Sequence, residues 1–577
     1  KESLFQSRSG GAVRNRILNA VLLAIILAAT WLPRGLALDQ YVTPDENLWL
    51  TRSANFYFAL GQRDFHNTYQ RQHPGVTAMW AGTAGFLARF PAYRGSGLGQ
   101  IEYTALDRYF RNNDLGFGSL ELLAAGRAFM VLGHTLILGA AFLFALSLLG
   151  RWTAFLGFLF IALDPFHIGL TRLLHLDGLL SNLMLLSLLA LLHYMQNRRF
   201  LSLGISGVIA GLSWLTKSPG FFLIPIAGIL FLLETIREMR TESIPWLRSF
   251  WRWTIIGSVW VLIGAFIFFA LWPSMWVDPI GSFSRVLGMA RSYAEEGHAS
   301  PVFFNGQLFA DGSIGPEYVH FYAYTFAWRA TPVVIVGLFL ALTAFILRRD
   351  LLVPGIENRT FVGLILLISI FYIIMTLGSK KFDRYFLPAH GPLLLIAAAG
   401  WSALFRWLVE RFQNRSAALR SEWAVPALVL LPALIHSIGA IDTAPYYLSY
   451  YNPLLGGARV APRVMQIGWG EGLDQAARYL NQKPNLGNLH VSSWYALGSF
   501  SYFFKGHSHY IHANLEISDN QMEEVLERQY AVVYIHQWQR HTPERLLELL
   551  SQYEPEKTIW IDGIEYVRIY NMRDIRE

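Results

Sequence analysis

Carboxylates, histidines and basic residues recur in this chain at the places where long apolar segments end. A reaction on an anionic substrate needs that mixture of groups. Asp45 and Glu46 stand side by side in Tyr41-Val-Thr-Pro-Asp-Glu-Asn-Leu-Trp49, directly after the first long apolar segment. A carboxylate is costly in hydrocarbon but at ease where a membrane helix meets water, so this position suits a proton-accepting group. The plain alternative is helix decoration: Pro44 fits a first turn, and two acids after it suit the N-terminal dipole. His73 lies in Gln70-Arg-Gln-His-Pro-Gly75, and His175 and Asp177 close the stretch Thr171-Arg-Leu-Leu-His-Leu-Asp177. Lys217 sits in Trp214-Leu-Thr-Lys-Ser-Pro-Gly220, while Lys380, Lys381, Asp383, Arg384 and Tyr385 belong to Gly378-Ser-Lys-Lys-Phe-Asp-Arg-Tyr385. A base together with cations that meet an anionic leaving group is the chemistry these types supply, and phosphate is the natural anion for Lys and Arg at a bilayer. Each has a plainer role as well: interfacial anchor for the lysines and Arg384, helix-end polar residue for His73 and His175, partner of Arg172 for Asp177.

The elements that must position these residues follow from composition. Hydrophobic residues make up 53% of 577 positions and charged residues only 15%, too apolar for an ordinary soluble protein. Eleven nearly charge-free segments are expected to cross a bilayer, near 17–38, 120–148, 152–170, 178–196, 201–216, 219–235, 253–272, a span ending at Arg348 and Arg349, 361–377, a span after Tyr385, and 423–440. Arg8, Arg14 and Arg16, then Arg151, Arg198 and Arg199, the basic loop from Arg237 to Arg252, and Arg406, Arg411, Arg415 and Arg420 fall on alternate turns. The positive-inside rule makes those turns cytoplasmic and puts all the residues singled out above on the outer face. The net charge of +7 is then a loop property and implies no nucleic acid. With no cysteine, disulfides and thiolate metal sites are excluded.

The expected fold class is thus an α-helical polytopic membrane protein, residues 1–440, followed by a soluble α/β domain, 441–577, on the outer face. Residues 39–119 form a first outer loop, with helices at 46–60 and 75–90, the second lying along the membrane surface. Residues 273–324 form a second outer loop, rich in aromatic residues. In 441–577, short apolar runs (489–495, 530–535, 558–561, 564–570) alternate with helical patterns (471–481, 518–528, 543–552), and Asp562-Gly563 signals a hairpin.

The motifs together resemble the GT-C superfamily of polyprenyl-phosphate-sugar glycosyltransferases, in the branch holding protein O-mannosyltransferases and bacterial lipid A aminoarabinose transferases. The resemblance rests on Pro44-Asp45-Glu46, His175-Leu-Asp177, Leu215-Thr-Lys-Ser-Pro219 and Lys381-Phe-Asp-Arg-Tyr385-Phe-Leu-Pro388. Tyr446-Tyr-Leu-Ser-Tyr-Tyr-Asn-Pro453 and Gly468-Trp-Gly-Glu-Gly472 are similar to a recurrent feature of bacterial members. The Lys-Pro-Pro string of the aminoarabinose enzymes stands here as His73-Pro74-Gly75, and 273–324 carries no inserted sugar-binding repeat. The resemblance implies a GT-C bundle of about 11 transmembrane helices in a bacterial plasma membrane, with active site and C-terminal domain extracytoplasmic. It implies an inverting transfer from a polyprenyl-phosphate-linked sugar to an acceptor protein, lipid or glycan, with Asp45 as general base. Glu46 and Asp177 are then expected to orient hydroxyls, Lys217, Lys380, Lys381 and Arg384 to bind the donor phosphate, and His73, His175 and Tyr385 to contact substrate. No cofactor is required, although Asp45, His175 and Asp177 could hold a divalent metal if they converge. The rival is a transporter or flippase of a lipid-linked sugar, which would put its ionisable groups near the midplane on repeated halves.

Overall fold

The computed structural model describes residues 2–71, 73–95, 101, 106, 118–347, 358–412, 424–511 and 515–576. Gln72, part of the first outer loop, and Arg348, Arg349, Arg415 and Arg420 of the expected cytoplasmic turns lie outside them. Among the described residues, seven helices are long and apolar enough to cross a membrane, or nine if each of two bent pairs is one span. Two shorter apolar helices, Phe200–Thr216 and Pro332–Leu347, add to these. Each of the eleven apolar segments read from the sequence corresponds to one of them.

The two bends have local causes. Arg151–Leu163 and Pro165–Thr171 meet at 63°, where Pro165 cannot donate an amide into the preceding turn and Asp164 caps the second piece through the His167 amide at 2.8 Å. The second bent pair, Ala427–Asp442 with Tyr447–Leu455, turns by 107° where the chain leaves the bundle. Leu176–Asn197 is the central helix, its apolar window 94% buried, against 17% for Val13–Gly35 at the periphery. A helix apolar all round is buried among other helices or lipid, and here the two helices show both outcomes.

The helices expected in the first outer loop form as Pro44–Gln62 and Val76–Arg89. The second is clamped to the bundle where Gly75 N–H donates to the Thr216 carbonyl at 3.1 Å and the Thr77 and Thr216 hydroxyls meet at 2.8 Å.

The C-terminal region builds a five-stranded sheet in the order β4-β3-β5-β7-β6, with β3 His490–Ser493, β4 His507–Tyr510, β5 Tyr530–Tyr534, β6 Lys557–Ile561 and β7 Ile564–Asn571. β3 runs parallel to β4 and β5, while β7 is antiparallel to β5 and β6. The β6–β7 hairpin turns at Asp562 (φ 49°) and Gly563 (φ 80°), the pair of positive angles that the Asp-Gly signal foretells. β4 is absent from the sequence reading because His507-Ser-His-Tyr510 has no apolar alternation and lies at a sheet edge. A short hairpin in the second outer loop, β1 Val302–Phe304 with β2 Gln307–Phe309, leans on this region: Asn305 N–H donates to Val464 O at 2.7 Å.

Candidate active site

Five chain segments far apart in sequence bring their polar ends to one place. Thr43 caps the Pro44–Gln62 helix, and Pro44 occupies its first position, so Asp45 and Glu46 fall in the first turn. There their side chains diverge. Glu46 turns inward and is fully buried. Its carboxylate accepts Arg127 Nε at 2.7 Å and Nη2 at 2.5 Å, the Leu174 amide at 2.9 Å and the Thr43 amide at 3.1 Å. Arg127 spends its other donors on the Leu38, Gln40 and Tyr41 carbonyls. Glu46 is therefore a tie between the first outer helix, the Ser119–Leu149 helix and the turn before His175, and these partners take up the carboxylate that was expected to orient hydroxyls. Burial pushes its carboxyl up, but the Arg127 guanidinium and the amides more than reverse this and hold it below the usual range.

Asp45 turns outward, 35% exposed, with His175 Nε2 at 3.4 Å and Arg384 Nη2 at 3.8 Å from Oδ2. Partial burial pushes its carboxyl up, yet His175, Arg384 and Arg52 together hold it far below the usual carboxylate range. His175 caps the Leu176–Asn197 helix, taking the Asp177 amide on Nδ1 at 3.4 Å, and the same nitrogen lies 3.7 Å from Asp177 Oδ2. Asp177, 3% exposed, meets Lys217 Nζ at 2.7 Å and Arg384 Nε at 3.5 Å. Asp177 thus pairs with Lys217, not Arg172, whose guanidinium goes to the Leu36, Ala37 and Pro445 carbonyls.

Asp45 and Asp177 are in this way bridged twice, by His175 and by Arg384. The bridging is incomplete: neither Asp177 Oδ2 nor Arg384 Nε, both buried, makes a hydrogen bond among the described residues. A buried ionic group without a hydrogen bond is expensive unless a ligand completes it, and such orphans mark functional positions.

Lys217 ends the Phe200–Thr216 helix, where Pro219 and the Gly220 N–H to Lys217 O bond at 2.9 Å set a tight turn. Its ammonium lies 4.5 Å from the Tyr385 ring. Lys380 and Lys381, adjacent between two helices, point to different places. Lys381 donates to the Ile314, Gly315 and Gly378 carbonyls at 2.6, 3.1 and 2.5 Å and is 1% exposed. Three ammonium donors on three carbonyls use up the hydrogen-bonding capacity that was expected to serve a donor phosphate, and they tie Lys381 to the second outer loop through Ile314 and Gly315. Burial also pulls its ammonium down to about 8. Lys380 instead lines the site, its ammonium lowered by burial and by Arg384 and Lys217. His73 lines it too, pulled down to about 3 by burial and by Lys217 and Arg71, so it stays neutral at pH 7.

Two cavities share these groups. A polar chamber of about 670 Å³, open to solvent, is lined by Asp45, Arg52, Arg71, His175, His298 and Arg384. An apolar groove of about 940 Å³ is lined by Leu180, Phe222, Phe371, Ile374, Met375 and Pro388. His73, Lys217, Lys380 and Tyr385 line both. One cationic wall therefore separates an aqueous space with a carboxylate from a slot fit for a hydrocarbon tail.

Asp45, His175 and Asp177 do converge, but no group of three or more His, Asp or Glu with the arrangement to hold a metal occurs among the described residues. Arg127, Arg52 and His298 had no place in the sequence reading. Arg127 had a signal: an arginine inside an apolar span must find a buried acid.

Residues 117–273 match the family model of dolichyl-phosphate-mannose-protein mannosyltransferases. That segment contains His175, Asp177 and Lys217 and bears out the GT-C glycosyltransferase resemblance. No curated protein matches the chain. Among solved structures, ArnT from Cupriavidus metallidurans bound to undecaprenyl phosphate is 13% identical, with a TM-score of 0.46 over 95% of this chain and 97% of that one. The archaeal oligosaccharyltransferase AglB from Archaeoglobus fulgidus, in complex with an inhibitory peptide and a dolichol-phosphate, is also 13% identical, with a TM-score of 0.44 over 96% of this chain and 74% of that one.

Proposed function

We propose that the chain is an inverting membrane glycosyltransferase that moves a sugar from a polyprenyl phosphate to an acceptor hydroxyl on the extracytoplasmic face. The observation that supports it is the cationic wall of Lys217 and Lys380, shared by the apolar groove and the chamber that holds Asp45. The polyprenyl tail occupies the groove, and its phosphate meets Lys217, Lys380 and Arg384. The sugar then projects into the chamber. The acceptor hydroxyl gives its proton to Asp45 as its oxygen bonds to the anomeric carbon. The bond from that carbon to the phosphate oxygen breaks on the opposite side, and polyprenyl phosphate leaves with the electron pair. Attack opposite the leaving group inverts the centre.

The resting electrostatics fit this order of events. His175, Arg384 and Arg52 hold the Asp45 carboxyl far below the carboxylate range, which weakens it as a base. A phosphate against Arg384 offsets that field, so Asp45 gains basicity only when the donor is bound. His175 and Asp177 hold the geometry, and Tyr385 flanks Lys217. The acceptor is a protein, lipid or glycan hydroxyl. The test is turnover: purified protein with a panel of polyprenyl-phosphate sugars and hydroxylated acceptors should release polyprenyl phosphate and form a glycoside of inverted configuration. Release of lipid phosphate with none of the panel, or a retained configuration, overturns the reading.

A further inference from the structure

The C-terminal region reaches into this site through one side chain. Trp469, 8% exposed, has its ring centroid 4.4 Å from the Arg384 guanidinium carbon and 5.0 Å from the His175 ring, which it meets edge to face at 89°. Arg384 and His175 are the two groups that bridge Asp45 to Asp177. Phe382 supplies a second ring 4.4 Å from Arg384, and His298 of the second outer loop packs on Phe382 with centroids 4.4 Å apart.

The turn that carries Trp469 is built for position. Gly468 and Gly470 have φ of 92° and 109°, which side chains rarely adopt, and a Cβ on Gly470 would meet Val42 O at 2.4 Å. The fully buried Glu471 accepts the Trp469 amide at 2.5 Å and the Tyr534 hydroxyl at 3.2 Å, and Tyr534 in turn accepts the Gly470 amide at 2.8 Å. The chain thus pins the tryptophan from β5, across the boundary with the membrane bundle. Nearby, Tyr502 donates to Asn47 of the first outer helix at 2.8 Å.

We infer that Trp469 is a positioning residue of the transferase site, holding the guanidinium of Arg384 and the ring of His175 in register with Asp45 and Asp177. Arg384 needs such a device because its carboxylate contacts are long and its Nε makes no hydrogen bond among the described residues. An aromatic face stabilises the cation without consuming its N–H donors, which stay available to the phosphate. The C-terminal region is then a working part of the site, and the turn Gly468–Gly472 is the piece of it that matters.

The inference rests on the phosphate-binding role proposed for Arg384, and the test separates the two. Binding of polyprenyl phosphate alone, which needs neither sugar nor acceptor, is measured on Trp469→Ala, Trp469→Phe and Leu448→Ala, with turnover where a donor is accepted. Leu448 shares the apolar cluster of Trp469 with Phe166, Leu170 and Leu387, and its aliphatic side chain can offer Arg384 and His175 neither a ring face nor a charge. Trp469→Ala should bind roughly tenfold more weakly and turn over about a hundredfold more slowly. Trp469→Phe should recover most of both, and Leu448→Ala should lower Tm with binding and turnover within about threefold. Wild-type binding by a folded Trp469→Ala overturns the inference, as does an equal loss in Leu448→Ala, which would make the tryptophan mere packing. If Arg384→Ala also binds as wild type does, the phosphate role itself has failed.

Discussion

Two clusters of buried acids and basic residues sit at opposite ends of the same helices, and they differ in what is left over. At one end, Glu234 and Glu238 face Arg198, Arg237, Arg252 and Arg359. Ser249 donates to Glu238 at 2.5 Å, and neither acid has a buried oxygen without a partner among the described residues. The arginines there are mostly half-exposed, 42% for Arg198 and 45% for both Arg237 and Arg252. At the other end, Lys217 holds Asp177 at 2.7 Å, but the contacts of His175 and Arg384 with Asp45 and of Arg384 with Asp177 span 3.4–3.8 Å, Asp177 Oδ2 and Arg384 Nε make no hydrogen bond among the described residues, and two cavities open on the group. Satisfied charge locks helix ends together. Unsatisfied buried charge stores a demand that a ligand can meet.

The sharpest break between the clusters should come from Asp45→Asn, which keeps shape and removes the base. Turnover should fall about 10²–10⁴-fold while polyprenyl phosphate binding and Tm stay near wild type. Its neighbour answers differently. Glu46→Ala strands Arg127 in the bundle and should cost about 3–5 kcal/mol of stability, read by denaturation in detergent, because breaking a buried pair leaves a bare charge. Equal phenotypes for the two substitutions would erase the division between them.

Lys217→Ala, Lys380→Ala and Arg384→Ala should each raise the Kd for polyprenyl phosphate about tenfold to a hundredfold, the worth of a charge-assisted bond in a dry cleft. Lys381→Ala should leave it within about twofold, because its donors serve carbonyls. Titration isolates His73. The folded-state pKa of His73 is depressed to about 3, so the folded protein binds fewer protons there than the unfolded chain. Its contribution to stability is present above about pH 6.5, the unfolded value, and is lost as pH falls toward 3. His73→Asn should therefore flatten the fall of Tm between pH 7 and pH 4. The smallest effect belongs to the satisfied cluster: Arg237→Ala should change stability by less than about 1 kcal/mol and leave lipid phosphate binding unaltered.

Much of this was legible in the chain because it is local. Spans follow from the length of apolar runs. The Asp562-Gly563 turn, with the strands around it, follows from residues within reach of one another. Even the inward turn of Glu46 had a local sign, since Thr43-Pro-Asp-Glu46 is the pattern of a capping box, and the structure forms it. That pattern competed with the expectation that two adjacent acids at a membrane surface do chemistry, and it was the stronger guide for one of them.

What the sequence by itself determined, then, is the set of helices, the end of the bundle at which Asp45, His175, Asp177, Lys217 and Arg384 gather, and the alternation of strands and helices after residue 441. Tertiary structure alone decided which of two neighbours faces the substrate. Asp45 and Glu46 differ by one helical step, about 100° around the axis, and Lys380 and Lys381 by one residue of the loop between two helices. Which side is the cleft depends on partners far away in the chain: Arg127 is 81 residues from Glu46, and the Ile314 carbonyl 67 from Lys381. Trp469 against Arg384 is a contact of the same kind, made between two separately built regions, and no local pattern encodes it.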